Sequence, residues 1–247
     1  MNQETDVFRT NPITALDVHS HIIPAVDDGA RDFVESIELI ALAYQQGIRT
    51  LYATPHYSRH RNNAEIRFLY EELLFKLQEQ HPEIASKMSI ILGHELVYHT
   101  DLVERLRSGQ AFPLGDSRFI LIEFMPSTPY RDMYRQLQEL LRAGYKPVIA
   151  HMERYEALYD IENVSELKHL GCLMQMNYDS IVGDGVLGRK ALFGGRFDRS
   201  VRRCRELILG GYIDVYGTDM HRRDFRPPDI TDAVKWLKDK GIEIDET

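Results

Sequence analysis

Six times along this chain, a short apolar run of strand length ends on a side-chain type that binds metal ions. The first run passes into Asp17-Val-His19-Ser-His21, and the turn after it carries Asp27 and Asp28. The second ends at Thr54-Pro-His56, the third at His94-Glu95, the fourth near Glu123, the fifth at His151 and the seventh at Asp219-Met-His221. Few folds bring so many strand ends to one place, so this recurrence limits the architecture more than any other feature.

Seven runs are strand candidates: Ile13–Val18, Thr50–Thr54, Ser89–Gly93, Phe119–Phe124, Pro147–Ala150, Cys172–Asn177 and Tyr212–Tyr216. Most are short and rich in β-branched or aromatic residues, as strands buried on both faces tend to be. Helical spacing separates them. Phe33, Ile37, Ile40, Leu42 and Tyr44 mark one helix, ended by Gly47; Leu69, Leu73, Leu74 and Leu77 mark the next, closed by His81-Pro82. Tyr134, Leu137, Leu140 and Leu141 precede Gly144, and Val201, Cys204 and Ile208 precede Gly210. Such βα units in succession predict a parallel sheet with right-handed crossovers. An open doubly wound sheet shares this alternation, but its far strands are too distant to share one site. In a closed barrel all carboxyl ends converge. The ligand positions therefore favour an α/β barrel, and 247 residues suit one such domain spanning 1–247.

His-x-His in extended chain turns both imidazoles to one face, because side chains alternate with period two. Mixed imidazole and carboxylate sets suit Zn, Mn or Fe at catalytic sites. A lone strand-end His or Asp is ordinarily a cap or turn residue, and His60, His81, His99 and His169 are read that way. Charges at six converging strand ends differ, since burying them without a cation would be very costly.

Charge narrows the function classes. A formal net charge of −8 argues against binding nucleic-acid phosphates. The charge is uneven, with ten Lys+Arg against five Asp+Glu from Gly185 to Arg226 and 20 against 33 elsewhere. Arg199, Arg202 and Arg203 share one predicted helix face, behind a Gly-rich stretch carrying Arg189 and Lys190. They are candidates for drawing in an acidic partner by long-range attraction. Only two cysteines are present, which excludes a disulfide framework and points to a reducing cytoplasm. No Cys-x₅-Arg phosphatase loop exists, because Tyr178 and Gly210 stand where the arginine would follow Cys172 and Cys204. No stretch approaches the roughly 20 apolar residues of a membrane span, and Met1 to Thr10 lack an apolar signal core.

These residues resemble the PHP (polymerase and histidinol phosphatase) superfamily and, within it, the bacterial protein-tyrosine phosphatases of capsule and exopolysaccharide clusters. The matching pieces are Asp17-Val-His-Ser-His-Ile-Ile-Pro-Ala-Val-Asp-Asp-Gly29, Thr54-Pro-His56, Gly93-His-Glu95, Leu121-Ile-Glu-Phe124, Val148-Ile-Ala-His-Met-Glu-Arg-Tyr155, Gly217-Thr-Asp-Met-His221 and Arg226-Pro-Pro228. The resemblance implies a distorted seven-stranded (β/α) barrel of PHP type holding three divalent metal ions, Mn²⁺ with Fe, Co or Zn as substitutes. By it His19, His21 and Asp219 bind the first ion, and Glu95 bridges to a second completed by Glu123 and His151. Asp28, His56 and His221 bind the third, while Asp17 orients a ligating histidine. The implied substrate is the phosphotyrosine-bearing tail of an autophosphorylated bacterial tyrosine kinase, which would also be the chain's only link to a membrane.

The implied chemistry is in-line attack by a hydroxide bridging two metals. Arg154 and Arg226 are the candidates for gripping the phosphoryl oxygens, because a guanidinium offers paired donors; Arg222 and Arg223 read as solvated. Tyr57, Tyr98, Tyr130, Tyr155 and Tyr178 follow strands near the ligands and are expected to wall the mouth. His94, beside Glu95, adds either a ligand or only a hydrogen bond. The alternatives are a small-molecule phosphatase of the histidinol-phosphate type, a nuclease-like member disfavoured by the acidic charge, and a non-catalytic binder stabilised by metal.

Overall fold

A computed structural model describes residues 16–183 and 194–242. Among them eight strands form: β1 Leu16–Asp17, β2 Thr50–Ala53, β3 Ser89–Leu92, β4 Glu95–Val97, β5 Phe119–Glu123, β6 Lys146–Ile149, β7 Leu173–Asn177 and β8 Val215–Gly217. They lie in two sheets, β1-β2-β3 and β4-β5-β6-β7-β8, and every pair is parallel. The alternation of strand and helix is as the sequence predicts; the count of seven is not.

The extra strand is β4, whose first residue, Glu95, the apolar pattern reads only as the end of the third run. A Cβ on Gly93 would meet Leu114 Cδ2 at 2.9 Å and the Pro113 carbonyl at 3.1 Å, so only glycine lets the 112–115 segment close in here. That segment takes up the end of β3, with Gly115 N–H donating to Leu92 O at 2.9 Å. The chain bends at Gly93–His94 and resumes as β4 beside β5. At the other end, the last candidate moves from Tyr212–Tyr216 to β8, because Tyr212 N–H still donates to Leu207 O at the end of a helix.

Backbone hydrogen bonds also join the two sheets. At one side Asp219 N–H donates to His19 O (2.8 Å), and His21 N–H donates to Met220 O (2.8 Å). At the other, His56 and Glu95 form a parallel bridge, with Glu95 N–H on Pro55 O (3.1 Å) and Tyr57 N–H on Glu95 O (2.9 Å).

Period-two alternation sorts the apolar side chains into two cores. Phe119, Leu121, Val148, Ala150, Leu16, Val18, Tyr52 and Val215 pack with one another, and they come from strands of both sheets. The intervening residues, such as Ile120, Ile122, Ile149, Leu51 and Met174, pack in the larger cluster with the helices. Following the first set toward the carboxyl ends, apolar gives way to polar: Phe119, Leu121, Glu123 in β5 and Leu173, Gln175, Asn177 in β7. One strand face thus holds the core at one end and presents ligand chemistry at the other.

The helices are α1 Phe33–Gln45, α2 Asn63–Gln80, α3 Pro82–Ala85, α4 Leu102–Arg107, α5 Tyr130–Arg142, α6 Ile161–Leu170, α7 Tyr178–Val182, α8 Gly194–Leu209 and α9 Thr231–Asp239. Caps start three of them: Asp32 accepts from Glu35 N–H, Asn62 from Ala64 N–H and Asp160 from Glu162 N–H. Among the described residues no helix is long and apolar enough to cross a membrane. Arg203 of α8 does not join a free basic face. It donates to Leu158 O at 2.6 Å, and its guanidinium lies 4.9 Å from the Tyr159 ring centre. Arg199 and Arg202 are exposed, whereas Arg189 and Lys190 lie outside the described residues.

Candidate metal centre

The carboxyl ends of the strands carry the side chains that the sequence singled out. Three groups of metal-ligand types each bring one donor atom per residue within 4.8 Å of the others: His21, Asp28, His56 and His221; His19, His21 and Glu95; and His56, Glu95 and Glu123. Glu95 stands at the centre. Its Oε2 lies 3.2 Å from His19 Nε2, 3.3 Å from His21 Nε2 and 3.0 Å from His56 Nδ1, while Oε1 lies 3.0 Å from His151 Nε2. His151 Nε2 is also 3.5 Å from Glu123 Oε1.

The imidazoles are oriented from outside the cluster. His19 Nδ1 donates to Gln175 Oε1 (3.3 Å), His21 Nδ1 to Asp27 Oδ2 (2.8 Å) and His221 Nδ1 to the Asp219 carbonyl (2.8 Å). With Nδ1 occupied, each Nε2 turns a lone pair inward. His19 Nε2 and His21 Nε2 face each other at 3.2 Å, so two lone pairs meet and only a cation or a proton can sit between them. This donor set fits divalent metal.

The electrostatics agree. Burial opposes a charged His19, yet Glu95 and Asp219 raise its pKa, and His21 is raised well above its ordinary value by Asp219, Asp27 and Glu95. Burial would lift Glu95, but His19, His151 and His21 hold it well below the usual carboxylate range. Burial, with the Glu95 charge beside it, lifts Glu123 to about 7. His151, on the other Glu95 oxygen, is instead pushed down to about 4 by burial and by Arg154, and protons and metal ions compete for the same lone pairs.

Asp219 divides its two oxygens. Oδ1 lies 3.6 Å from His19 Nε2 and 3.5 Å from His21 Nε2. Oδ2 accepts from Arg154 (2.6 Å) and Asn177 Nδ2 (3.0 Å), and lies 2.9 Å from Arg226 Nη1. Both arginines the sequence proposed therefore meet at one carboxylate on the rim of the cluster. Four described residues other than glycine have positive φ, and three belong here: His151 (31°), Asp219 (52°) and Arg226 (60°). Backbone strain of this kind collects where a site must hold side chains in set positions. A Cβ on Gly217 would lie 2.7 Å from His19 Cβ, so this glycine lets β8 close against the first ligand segment.

Several expectations change. Asp17 does not reach an imidazole: Oδ1 accepts from His19 N–H (3.1 Å) and Thr218 N–H (2.9 Å), and Oδ2 from Thr218 Oγ1 (2.6 Å). It ties the backbone of two ligand segments together, and the groups that orient the His19 and His21 rings are Gln175, which no motif marks, and Asp27, which the sequence offers only as a possible ligand. His94 makes a hydrogen bond on the far side, with Nδ1 accepting from Phe112 N–H at 3.0 Å while its ring stacks on Phe112. Tyr155 and Tyr178 are fully buried and wall no mouth. The Tyr155 hydroxyl lies 3.2 Å from His151 Nδ1, whereas Tyr178 donates to Leu16 O. Tyr57 is held by Arg105, Tyr98 by Glu139 and Tyr130 by Glu166. Glu153 also has a part the sequence does not signal: it is partly buried beside Arg154 in the chain, accepts from Ser180 Oγ and Asn177 N–H, and is lifted by burial to about 7.

Fold and site together define a parallel α/β protein with a candidate metal centre at its strand ends. The chain belongs to the capsular polysaccharide synthesis family CpsB/CapC, whose model matches residues 15–244. It is 35% identical over 226 residues to the tyrosine-protein phosphatase CpsB of Streptococcus pneumoniae, covering 91% of this chain and 90% of that protein. It is 36% identical over 236 residues to the tyrosine-protein phosphatase YwqE of Bacillus subtilis strain 168, covering 93% and 86%. Its fold matches one of the crystal structures described together as YwqE and CpsB, unique metal-dependent tyrosine phosphatases. That match has a TM-score of 0.76 and 28% identity over 91% of this chain and 86% of the other.

Proposed function

We propose that this chain is a metal-dependent tyrosine-protein phosphatase. The observation that carries the reading is the Asp219 carboxylate, with one oxygen facing the imidazole cluster and the other holding Arg154 and Arg226. Phosphate needs such a place, where cations and guanidinium donors meet. The family and its phosphatase relatives support the same chemistry.

The site takes three divalent ions, with Mn²⁺ as the native choice. His19, His21 and Asp219 hold one; Glu123 and His151 hold another, with Glu95 shared between them; Asp28, His56 and His221 hold the third. The three donor groups support this number, and His21 faces both the first and the third. We read the two sheets as one distorted barrel in a single domain, with β3 and β4 as one bent strand, supported by the hydrogen bonds at both seams.

Bound there, divalent cations neutralise phosphoryl oxygens and acidify water at neutral pH. Arg154 and Arg226 grip the remaining phosphoryl oxygens, and Asp219 aims both guanidiniums before substrate arrives, so little reorganisation accompanies binding. Tyr155 and Gln175 hold His151 and His19 in register. The tyrosine phenolate, with a pKa of about 10, departs far more readily than a serine alkoxide. The substrate is the phosphotyrosine-bearing tail of a bacterial tyrosine kinase of capsule or exopolysaccharide synthesis; the chain itself is cytoplasmic, and its membrane contact comes only through that kinase.

The test pairs metal analysis with hydrolysis of a phosphotyrosine peptide and of histidinol phosphate. Preference for the peptide, lost on chelation and restored by Mn²⁺, is expected. Preference for histidinol phosphate would make the chain a small-molecule phosphatase, and metal uptake without turnover of either would make it a binder. Thiol chemistry plays no part: Cys172 and Cys204 are buried, and burial pushes the Cys172 thiol up to about 12. Iodoacetamide is accordingly expected to leave turnover unchanged. Inactivation by alkylation at one cysteine, with the fold intact, would point to a cysteine nucleophile instead.

A further inference from the structure

The turn that delivers Arg226 also displays an aromatic ring that the chemistry above does not use. Phe225 is 50% exposed. Other exposed apolar side chains, such as Phe68 and Phe75, sit on the helix α2. Phe225 instead borders the metal cluster. Its ring stands edge-on to the His221 imidazole, with centroids 6.4 Å apart at 87°, and the Arg226 guanidinium lies 5.4 Å from its centre. That guanidinium is the one 2.9 Å from Asp219.

The turn is held from several sides. Phe225 N–H donates to Arg222 O (3.2 Å), Arg222 N–H to Phe225 O (2.9 Å) and His221 N–H to Arg226 O (3.0 Å). Arg223 N–H donates to Glu35 Oε1 at the start of α1, and Arg31 links Glu35 to Asp224. A half-exposed phenylalanine on a fixed turn beside a phosphate-gripping arginine is a preformed surface for a flat apolar group. The five tyrosines expected to supply an aromatic mouth are buried or tied to other partners, so among the described residues this ring is the aromatic group that touches both a candidate ligand and a candidate phosphate grip.

We propose that Phe225 is the aryl platform of the site, packing against the phenyl ring of the substrate and selecting aryl over alkyl phosphates. The proposal rests on the phosphatase reading above and adds the group that distinguishes the ester. A phosphoryl group between the metals and Arg226 leaves its ester substituent pointing outward past Phe225. Aromatic rings attract at centroid separations of roughly 4.5–7 Å, preferring edge-to-face or offset packing. One such contact, with the area it covers, corresponds to roughly a tenfold gain in affinity.

The test uses the metal-loaded full chain and two competitive probes that cannot be hydrolysed, phenylphosphonate and methylphosphonate, against turnover of a phosphotyrosine peptide. The wild type is expected to bind phenylphosphonate roughly tenfold more tightly than methylphosphonate, in keeping with one aromatic contact. In Phe225→Ala that ratio falls close to one, the methylphosphonate inhibition constant and metal content stay unchanged, and KM for the peptide rises with little change in kcat. Phe225→Trp restores the ratio. A ratio that survives in Phe225→Ala overturns the platform, as does an equal weakening of both probes, which would mark a structural role. A wild type that hydrolyses no phosphotyrosine peptide and binds neither phosphonate would instead sink the phosphatase reading beneath it.

Discussion

Changing Glu95 to Gln is expected to lower kcat on a phosphotyrosine peptide at least a thousandfold, a loss of about 4 kcal/mol of transition-state stabilisation. The carboxylate faces four imidazole nitrogens within 3.3 Å, from His19, His21, His56 and His151. The amide keeps the shape but removes the charge, and its NH₂ group would confront ring nitrogens whose lone pairs point inward. The loss should therefore appear in metal content as well as rate, with fewer ions bound per chain after Mn²⁺ loading. The position is buried but lies at the strand ends rather than among packed side chains, so the circular dichroism of the fold should persist. Near-normal turnover with a full complement of metal would remove Glu95 from the centre.

That expectation was legible in the sequence because ligand types recur at strand ends, and strand ends are countable from apolar runs. Position along the chain predicted which side chains meet; it could not predict what stands behind them. Gln175 and Asp27 orient the imidazoles of His19 and His21, yet a glutamine within an apolar strand and the first of two adjacent aspartates carry no pattern of their own. For Gln175 the cue lies in its neighbours instead, since the inner row of β7 runs Leu173, Gln175, Asn177 and turns polar toward the strand end. Strand β4 escaped because three residues after a bend have no periodicity to read, and the bend depends on a close approach of Gly93 to Leu114 that is formed only on folding. The tyrosines misled for a related reason. Their distance from the ligands along the chain was right, but Tyr155, just after a single 3₁₀ turn, and Tyr178, the first residue of α7, both point inward, where their hydroxyls serve His151 and the Leu16 carbonyl. Arg203 repeats the lesson on a helix: i, i+3 and i+4 spacing places side chains on one face, and only packing decides that Arg203 meets Leu158 and Tyr159 while Arg199 and Arg202 stay exposed.

Asp17 offers the largest effect on stability. Its carboxylate is fully buried and accepts from three donors, His19 N–H, Thr218 N–H and Thr218 Oγ1, which fasten β1 to the segment after β8. Asp17→Ala leaves those donors buried without acceptors, and each such group costs about 1–3 kcal/mol. A total near 3–5 kcal/mol is a large share of the stability of an ordinary domain. Asp17→Asn separates hydrogen bonding from charge. Burial lifts the Asp17 carboxyl to about 6 against the opposing hydrogen bonds from Thr218 and His19, so at neutral pH the protein holds this carboxylate at a desolvation cost. The neutral amide avoids that cost and can still accept both backbone N–H groups, losing only its match to the Thr218 hydroxyl. Chemical denaturation at pH 7 of the metal-free proteins should therefore rank wild type and Asn close together, with Ala well below. Metal-loaded samples should show the same order with wider gaps, because a misplaced His19 also weakens the ions that stabilise the folded state. If Asn falls as far as Ala, the charge itself holds the two segments, and the account of Asp17 as a hydrogen-bonding clasp is wrong.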